Sequence, residues 1–254
     1  MSHNPISWLK SKLSKKEDKE PKQEEQPTKQ NQEKVEKVEQ VEEVEKAEEQ
    51  QEVREEEKKI VVRTGPITPE LVLDEDEHGS VQGGTFIHSQ KSEDACITVN
   101  PIITTGVVRC EFVFDLKQGK MFIVGIADYR LNFTRERSFW DDDNKNLNIR
   151  YINYSGVLNH IAGAVSGNTI YKSGQKIAVE VNMGAVPRTC HFFVDEIEQP
   201  IHVINIPQYI RFWSFIAGQN SYFTITRFER LENSSAHGVE GSKAVEYGKV
   251  WEDD

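Results

Sequence analysis

The chain has 254 residues, a net charge of −11 and 37% hydrophobic residues, a mixture that fits one apolar core with a solvated remainder attached. The acidic balance argues against a nucleic-acid-binding face, and no apolar run approaches the roughly 20 residues of a membrane-spanning helix. No secretory leader opens the sequence, so the expectation is a cytoplasmic protein with no stable membrane insertion, in which Cys96, Cys110 and Cys190 are buried free thiols.

Residues 1–16 read as a short basic amphipathic segment. Asn4 and Pro5 suit the start of a helix. Ile6, Leu9 and Leu13 share one face, and Lys10, Lys12, Lys15 and Lys16 make the segment cationic. Such a helix suits an acidic membrane surface or a partner groove; a frayed terminus is the alternative. Residues 17–59 read as a charged low-complexity spacer, disordered or partly helical. Val35, Val38, Val41 and Val44 recur every three residues, which slips off a helical face and does not match the 3.5-residue spacing of a coiled coil. Self-association through 17–59 remains as an alternative. Residues 1–59 contain a single aromatic, Trp8, too little apolar surface to offset the entropy of ordering.

The region 60–231 carries strand patterns. Leu71-Val-Leu73 and Thr85-Phe-Ile87 are short predicted strands. The acidic stretch from Asp74 to Gly79 places His78 and Thr85 where a calcium loop needs oxygen ligands, and it reads as an exposed turn. The connection 129–148 is long for a compact domain, and long connections are commonly functional. It brings Tyr, Trp and Arg together, the residue types enriched at binding hot spots. Tyr129, Arg130, Arg135, Arg137 and Trp140 are the candidate contact residues, with Asn153 and Tyr154 behind them. An alternative tucks Leu131, Phe133, Phe139 and Trp140 onto the domain. Beyond it, Ile177, Val179, Val181 and Met183 alternate with Ala178, Glu180 and Asn182. Cys190, Phe192 and Val194 continue that period of two, and so do Phe212, Ser214 and Ile216. Period two is the pattern of a strand with unlike faces. The stretch 172–219 therefore predicts an antiparallel meander, half of a packed all-β domain. The last segment, 232–254, reads as a polar disordered tail in which Trp251 is a possible docking residue.

Four blocks, in this order and spacing, resemble the SPRY (B30.2-like) family: Gly106-Val-Val-Arg-Cys-Glu-Phe-Val-Phe114, Phe122-Ile-Val-Gly-Ile-Ala127, Gly174-Gln-Lys-Ile-Ala-Val-Glu-Val181 and His191-Phe-Phe-Val-Asp195 with its following turn. Gln175 stands where that family has an acidic residue, and Glu196 where its hairpin often has glycine, so the resemblance is to a divergent member. It implies an all-β two-layer antiparallel β-sandwich, a concanavalin-like jelly roll, and a non-enzymatic module that binds a peptide or a folded partner through loops at one rim. It also implies that 151–171 supplies further loops on the same rim as 129–148. No nucleotide loop, nucleophile elbow or zinc spacing occurs, so neither cofactor nor metal is expected. Two alternatives stay open: a lectin-like sugar binder using Trp140, Asp141 and Asn144, and a scaffold acting through its N-terminal helix and spacer.

Overall fold

In the computed structural model the chain divides into two units, Met1–Val61 and Val62–Asp254. Residues 63–73, 79–90, 94–116, 120–133 and 139–252 are described. The predicted N-terminal segments, most of the acidic turn after Leu73, Arg135 and Arg137 lie outside the described residues.

In chain order the strands are β1 (Gly65–Pro66), β2 (Glu70–Leu73), β3 (Gly79–Gln82), β4 (Thr85–His88), β5 (Asp94–Ile103), β6 (Val107–Asp115) and β7 (Phe122–Asp128). A one-turn helix, Asp142–Lys145, follows. Then come β8 (Arg150–Ile152), β9 (Leu158–His160), β10 (Gly163–Val165), β11 (Lys176–Asn182), β12 (Thr189–Val194) and β13 (Ile197–Glu198). The last four are β14 (Ile201–Ile204), β15 (Ile210–Ala217), β16 (Tyr222–Leu231) and β17 (Lys243–Glu246). They build a ten-stranded sheet in the order β17-β14-β12-β11-β6-β16-β4-β3, with β1 and β13 at its flanks, and a seven-stranded sheet in the order β10-β9-β8-β7-β15-β5-β2.

The core lies between the two sheets. On β6, β11 and β12 the alternation seen in the sequence selects the inward face, and register aligns it: Val179 stands opposite Cys110 on one side and Phe192 on the other. Phe223 of β16 packs against Phe86, Phe112 and Phe114 at ring separations of 5.7, 5.8 and 5.4 Å. Each such fully buried ring contributes roughly 1.5–3 kcal/mol. Cys96, Cys110 and Cys190 are buried free thiols.

The predicted meander holds for β11, β12 and β14 but not for its fourth run. β15 crosses to the other sheet and pairs with β7 and β5. Its two faces are both apolar because both are covered. Phe212 and Ile216 face the central core. Trp213 and Phe215 face outward into a second cluster with Leu131, Phe133 and Phe139. Leu131, Phe133 and Phe139 of the connection thus cover the seven-stranded sheet, and the Trp213 indole N–H donates to the Ile149 carbonyl at 3.1 Å.

The outer face of the ten-stranded sheet is charged yet buried. Arg109 is 2% exposed and Glu180 1%. The Arg109 guanidinium lies 4.2 Å over the Phe193 ring and donates to Glu196 at 2.7 Å. Asp195 and Glu196 form the two-residue turn from β12 to β13 at φ values of 48° and 68°, the geometry that favours glycine or asparagine in such hairpins. The ion pair with Arg109 gives a physical reason for glutamate there.

The tail prediction is corrected. Residues 232–242 strap the charged face, with Ser234 Oγ and the Ser235 N–H donating to Glu180 at 2.7 and 2.8 Å and the His237 N–H to Glu198 at 2.9 Å. β17 then pairs in parallel with β14, and Trp251 is 5% exposed within the core. Polar composition hid this segment because its anchors are buried carboxylates rather than an apolar stripe.

Candidate functional site

The sequence-derived contact residues that are described, Tyr129, Arg130, Trp140, Asn153 and Tyr154, do not form one cluster. Tyr129 and Arg130 follow the C-terminal end of β7. Asn153 Oδ1 accepts from the Phe122 N–H at the opposite end, at 3.0 Å. The strand between them has seven residues, which at about 3.3 Å per step separates the two sets by roughly 20 Å. β8 runs antiparallel to β7, so its far end returns to where β7 began and 153–157 lies away from Tyr129; the β9–β10 turn within 151–171 does meet 129–148, the Ile161 N–H donating to the Lys145 carbonyl at 3.1 Å.

At the Tyr129 end the surface is aromatic and charged. Tyr129 and Tyr209 meet edge to face at 5.5 Å, and Arg211 donates to the Tyr129 carbonyl at 3.3 Å. Arg130 is exposed but folded onto Asp128, with Nε donating at 2.7 Å. Trp140 belongs to neither end. It lies on the outer face of the seven-stranded sheet, 46% exposed, against Phe139 and over the Arg150 guanidinium at 5.1 Å. Asn144 is 4% exposed, so the trio Trp140, Asp141 and Asn144 does not present a joint surface for a sugar.

At the Asn153 end the loops enclose an open cleft of about 520 Å3. Leu116, Met121 and Ile170 supply apolar surface; Lys120, Tyr154 and Lys172 stand around it. Tyr154 is 60% exposed and Ile170 52%. The walls are held by buried polar bonds. Asn153 Nδ2 donates to the Lys120 carbonyl at 3.4 Å and the Tyr171 N–H donates to the Asn153 carbonyl at 3.0 Å. Asn153 is 7% exposed, so it fixes the loops and does not itself face a ligand. The Tyr171 hydroxyl donates to the Tyr151 carbonyl at 2.6 Å. Burial pushes the Tyr171 phenol well above its ordinary range, with Tyr151 adding to the shift. The loop carrying Ile170 is locked to β14: Asn168 exchanges two hydrogen bonds with the Ile201 backbone, at 2.8 and 3.2 Å, and the Thr169 N–H donates to Gln199 at 2.7 Å. Sequence reasoning found Tyr154 but missed Lys120, Ile170 and Lys172. They come from separate connections with no spacing signature; the one available signal was the exposed apolar Ile170 among small and polar neighbours.

Glu111 lies 3.5 Å from the Lys176 ammonium. Burial acts to raise its pKa, but the Thr226 hydroxyl and Lys176 hold it below the usual carboxylate value. Among the described residues no helix is long and apolar enough to cross a membrane.

No family model matches the sequence, and no curated protein matches it. Solved structures do. The SPRY domain of human HERC1 superposes with a TM-score of 0.44 at 14% identity, over 68% of this chain and all of that one. The TRIM65 PSpry domain gives 0.46 at 11% identity, over 62% of this chain and 89% of that one. The carbohydrate-binding module CBM66 from Bacillus subtilis gives 0.39 at 10%, over 66% of this chain and all of that one. The described residues themselves form an all-β two-sheet sandwich.

Proposed function

We propose that this domain is a non-enzymatic protein-interaction module that takes a peptide, or an exposed segment of a folded partner, in the cleft at the Tyr154 end. The observation that carries the reading is the cleft itself: exposed Tyr154 and Ile170 beside Leu116 and Met121, on loops tied by Asn153, Asn168 and Tyr171. Side chains already held in place lose little freedom on binding, so more of the contact energy appears as affinity. A half-exposed tyrosine next to an apolar floor is the kind of group that dominates interface energetics.

The test uses the full chain. Tyr154→Ala combined with Ile170→Ala should lower capture of the protein's partners from native extract at least tenfold, about 1.4 kcal/mol or more, while the melting temperature stays near that of the parent. Capture by the double variant equal to the parent's would sink the assignment of the cleft.

A further inference from the structure

The cleft's charge narrows its ligand, and this step rests on the interaction reading above. The protein carries a net charge of −11, yet among the described residues the charged side chains lining this cleft are two lysines. Lys120 and Lys172 are exposed, and no ion pair or side-chain hydrogen bond of either ammonium occurs among the described residues. The nearby acids are occupied. Asp195 accepts from Gln175 Nε2 at 2.7 Å and from the Lys176 N–H at 3.0 Å. Asp115 accepts from the Tyr222 hydroxyl on the far side of the Ser173–Gly174 ridge.

Both lysines are placed by the fold. Gly218, at φ 104°, leaves room for the Lys120 stem: a Cβ there would fall 3.2–3.3 Å from its Cγ, Cδ and Cε. The Lys172 N–H is held by Gln175 Oε1 at 2.8 Å, and the adjacent Ser173 hydroxyl donates to the Phe114 carbonyl at 3.0 Å. Two cations thus flank an apolar floor on fixed backbone.

We infer that the cleft binds an acidic peptide segment, with one aromatic or branched apolar side chain seated against Ile170, Leu116 and Met121 and carboxylates on either side meeting Lys120 and Lys172. Opposite charge at the rim steers encounter and rejects wrong partners, while the apolar anchor supplies most of the affinity. A single-stranded nucleic acid would also value a tyrosine and two cations, but the aliphatic floor and the strongly acidic chain favour the peptide.

The experiment measures fluorescence anisotropy of the full-length protein with four labelled probes: short peptides sharing a central phenylalanine flanked by aspartate and glutamate, by serine and glycine, or by lysine, and an oligo-dT strand. The acidic peptide should bind about tenfold tighter than the lysine-flanked one, with the neutral one between and the oligonucleotide weakest. Its advantage should shrink as sodium chloride rises from about 50 to about 500 mM, where screening shortens to a few ångströms. Lys120→Glu with Lys172→Glu should reverse the order of the charged peptides at unchanged melting temperature, and Tyr154→Ala with Ile170→Ala should weaken all three peptides alike. An acidic peptide no tighter than the neutral one, a preference that survives the lysine reversal, tighter binding of oligo-dT, or no peptide binding overturns the acidic assignment. If partner capture still depends on Tyr154 and Ile170 in any of those cases, the interaction module stands and only its ligand class is wrong.

Discussion

Gly248 donates its backbone N–H to Nε2 of His160 at 2.9 Å, while Nδ1 of the same ring meets the Asn148 carbonyl at 2.9 Å. A carbonyl only accepts and an N–H only donates, so the ring is neutral with its proton on Nδ1. Burial, with Arg150 nearby, pulls its pKa down to about 4 despite the opposing pull of the Asn148 carbonyl.

That depression makes stability depend on pH. The unfolded histidine takes a proton as pH falls through about 6.5, while the folded ring resists until about 4. Between those values the unfolded state binds more protons, so stability is full above pH 6.5 and declines towards pH 4. The loss from this ring is on the order of 3 kcal/mol. His191 and His202 are also pushed down by burial, His191 further by the neighbouring His202, and they act in the same direction. Urea melts at pH 7, 5.5 and 4 should show the decline, and His160→Gln should reduce its slope. A parent protein equally stable at all three values would contradict the tautomer.

Gly163 on β10 lies under the C-terminal segment. A Cβ built on it would sit 2.1 Å from the Trp251 nitrogen and 2.3 Å from its carbonyl oxygen. Gly163→Ala is therefore expected to lift 247–252 off the sheet edge without unfolding the sandwich. Faster proteolysis after Tyr247 and a red-shifted tryptophan emission should report it, whereas resistance equal to the parent's would mean that the edge accommodates the methyl group.

Glu180 holds the strap and faces Arg109, with Nη1 at 3.6 Å. Glu180→Ala would leave a buried guanidinium short of a counter-charge, a loss of about 3 kcal/mol or more. Glu180→Gln keeps shape and an acceptor and should cost about 1–2 kcal/mol. In both variants the amides of Ser235 and His237 should exchange faster in deuterium. Unchanged protection there would show that Glu198 and β17 retain the strap without Glu180.

Phe139 is 2% exposed, 4.7 Å from Phe215 and 5.6 Å from Trp213. Phe139→Ala should cost about 3–5 kcal/mol by opening the second cluster, yet leave the cleft's affinity for its peptide as it was, because the cleft stands on β6, β7 and β8 at one end. Tyr129→Ala with Tyr209→Ala, at the far end, should likewise spare peptide binding. A loss of affinity in that pair would move the binding surface to the loops first singled out by composition.

Much of the ten-stranded sheet was legible because β6, β11 and β12 present unlike faces, so alternation names their inward residues. β15 was misplaced in its sheet for the opposite reason. With Phe212 inside and Trp213 outside, both buried, nothing local says which neighbour it joins; that is decided by the returning loop with Leu131, Phe133 and Phe139. The cleft was half legible. Tyr154 advertises itself by type, but Asn153 looked like a contact residue and is a buried brace. Lys120 and Lys172 acquire meaning only when two connections distant in sequence meet over Gly218 and Gln175. Which rim a residue joins depends on strand direction, and a single exposed side chain carries no mark of that.

The parallel pairing of β17 with β14, and the lock of Gly248 and Trp251 onto β9 and β10, make one short segment cover the edge strands of both layers. Were that segment displaced, β14 and β10 would each offer an open backbone edge to other chains, so its retention guards the folded sandwich against misassembly.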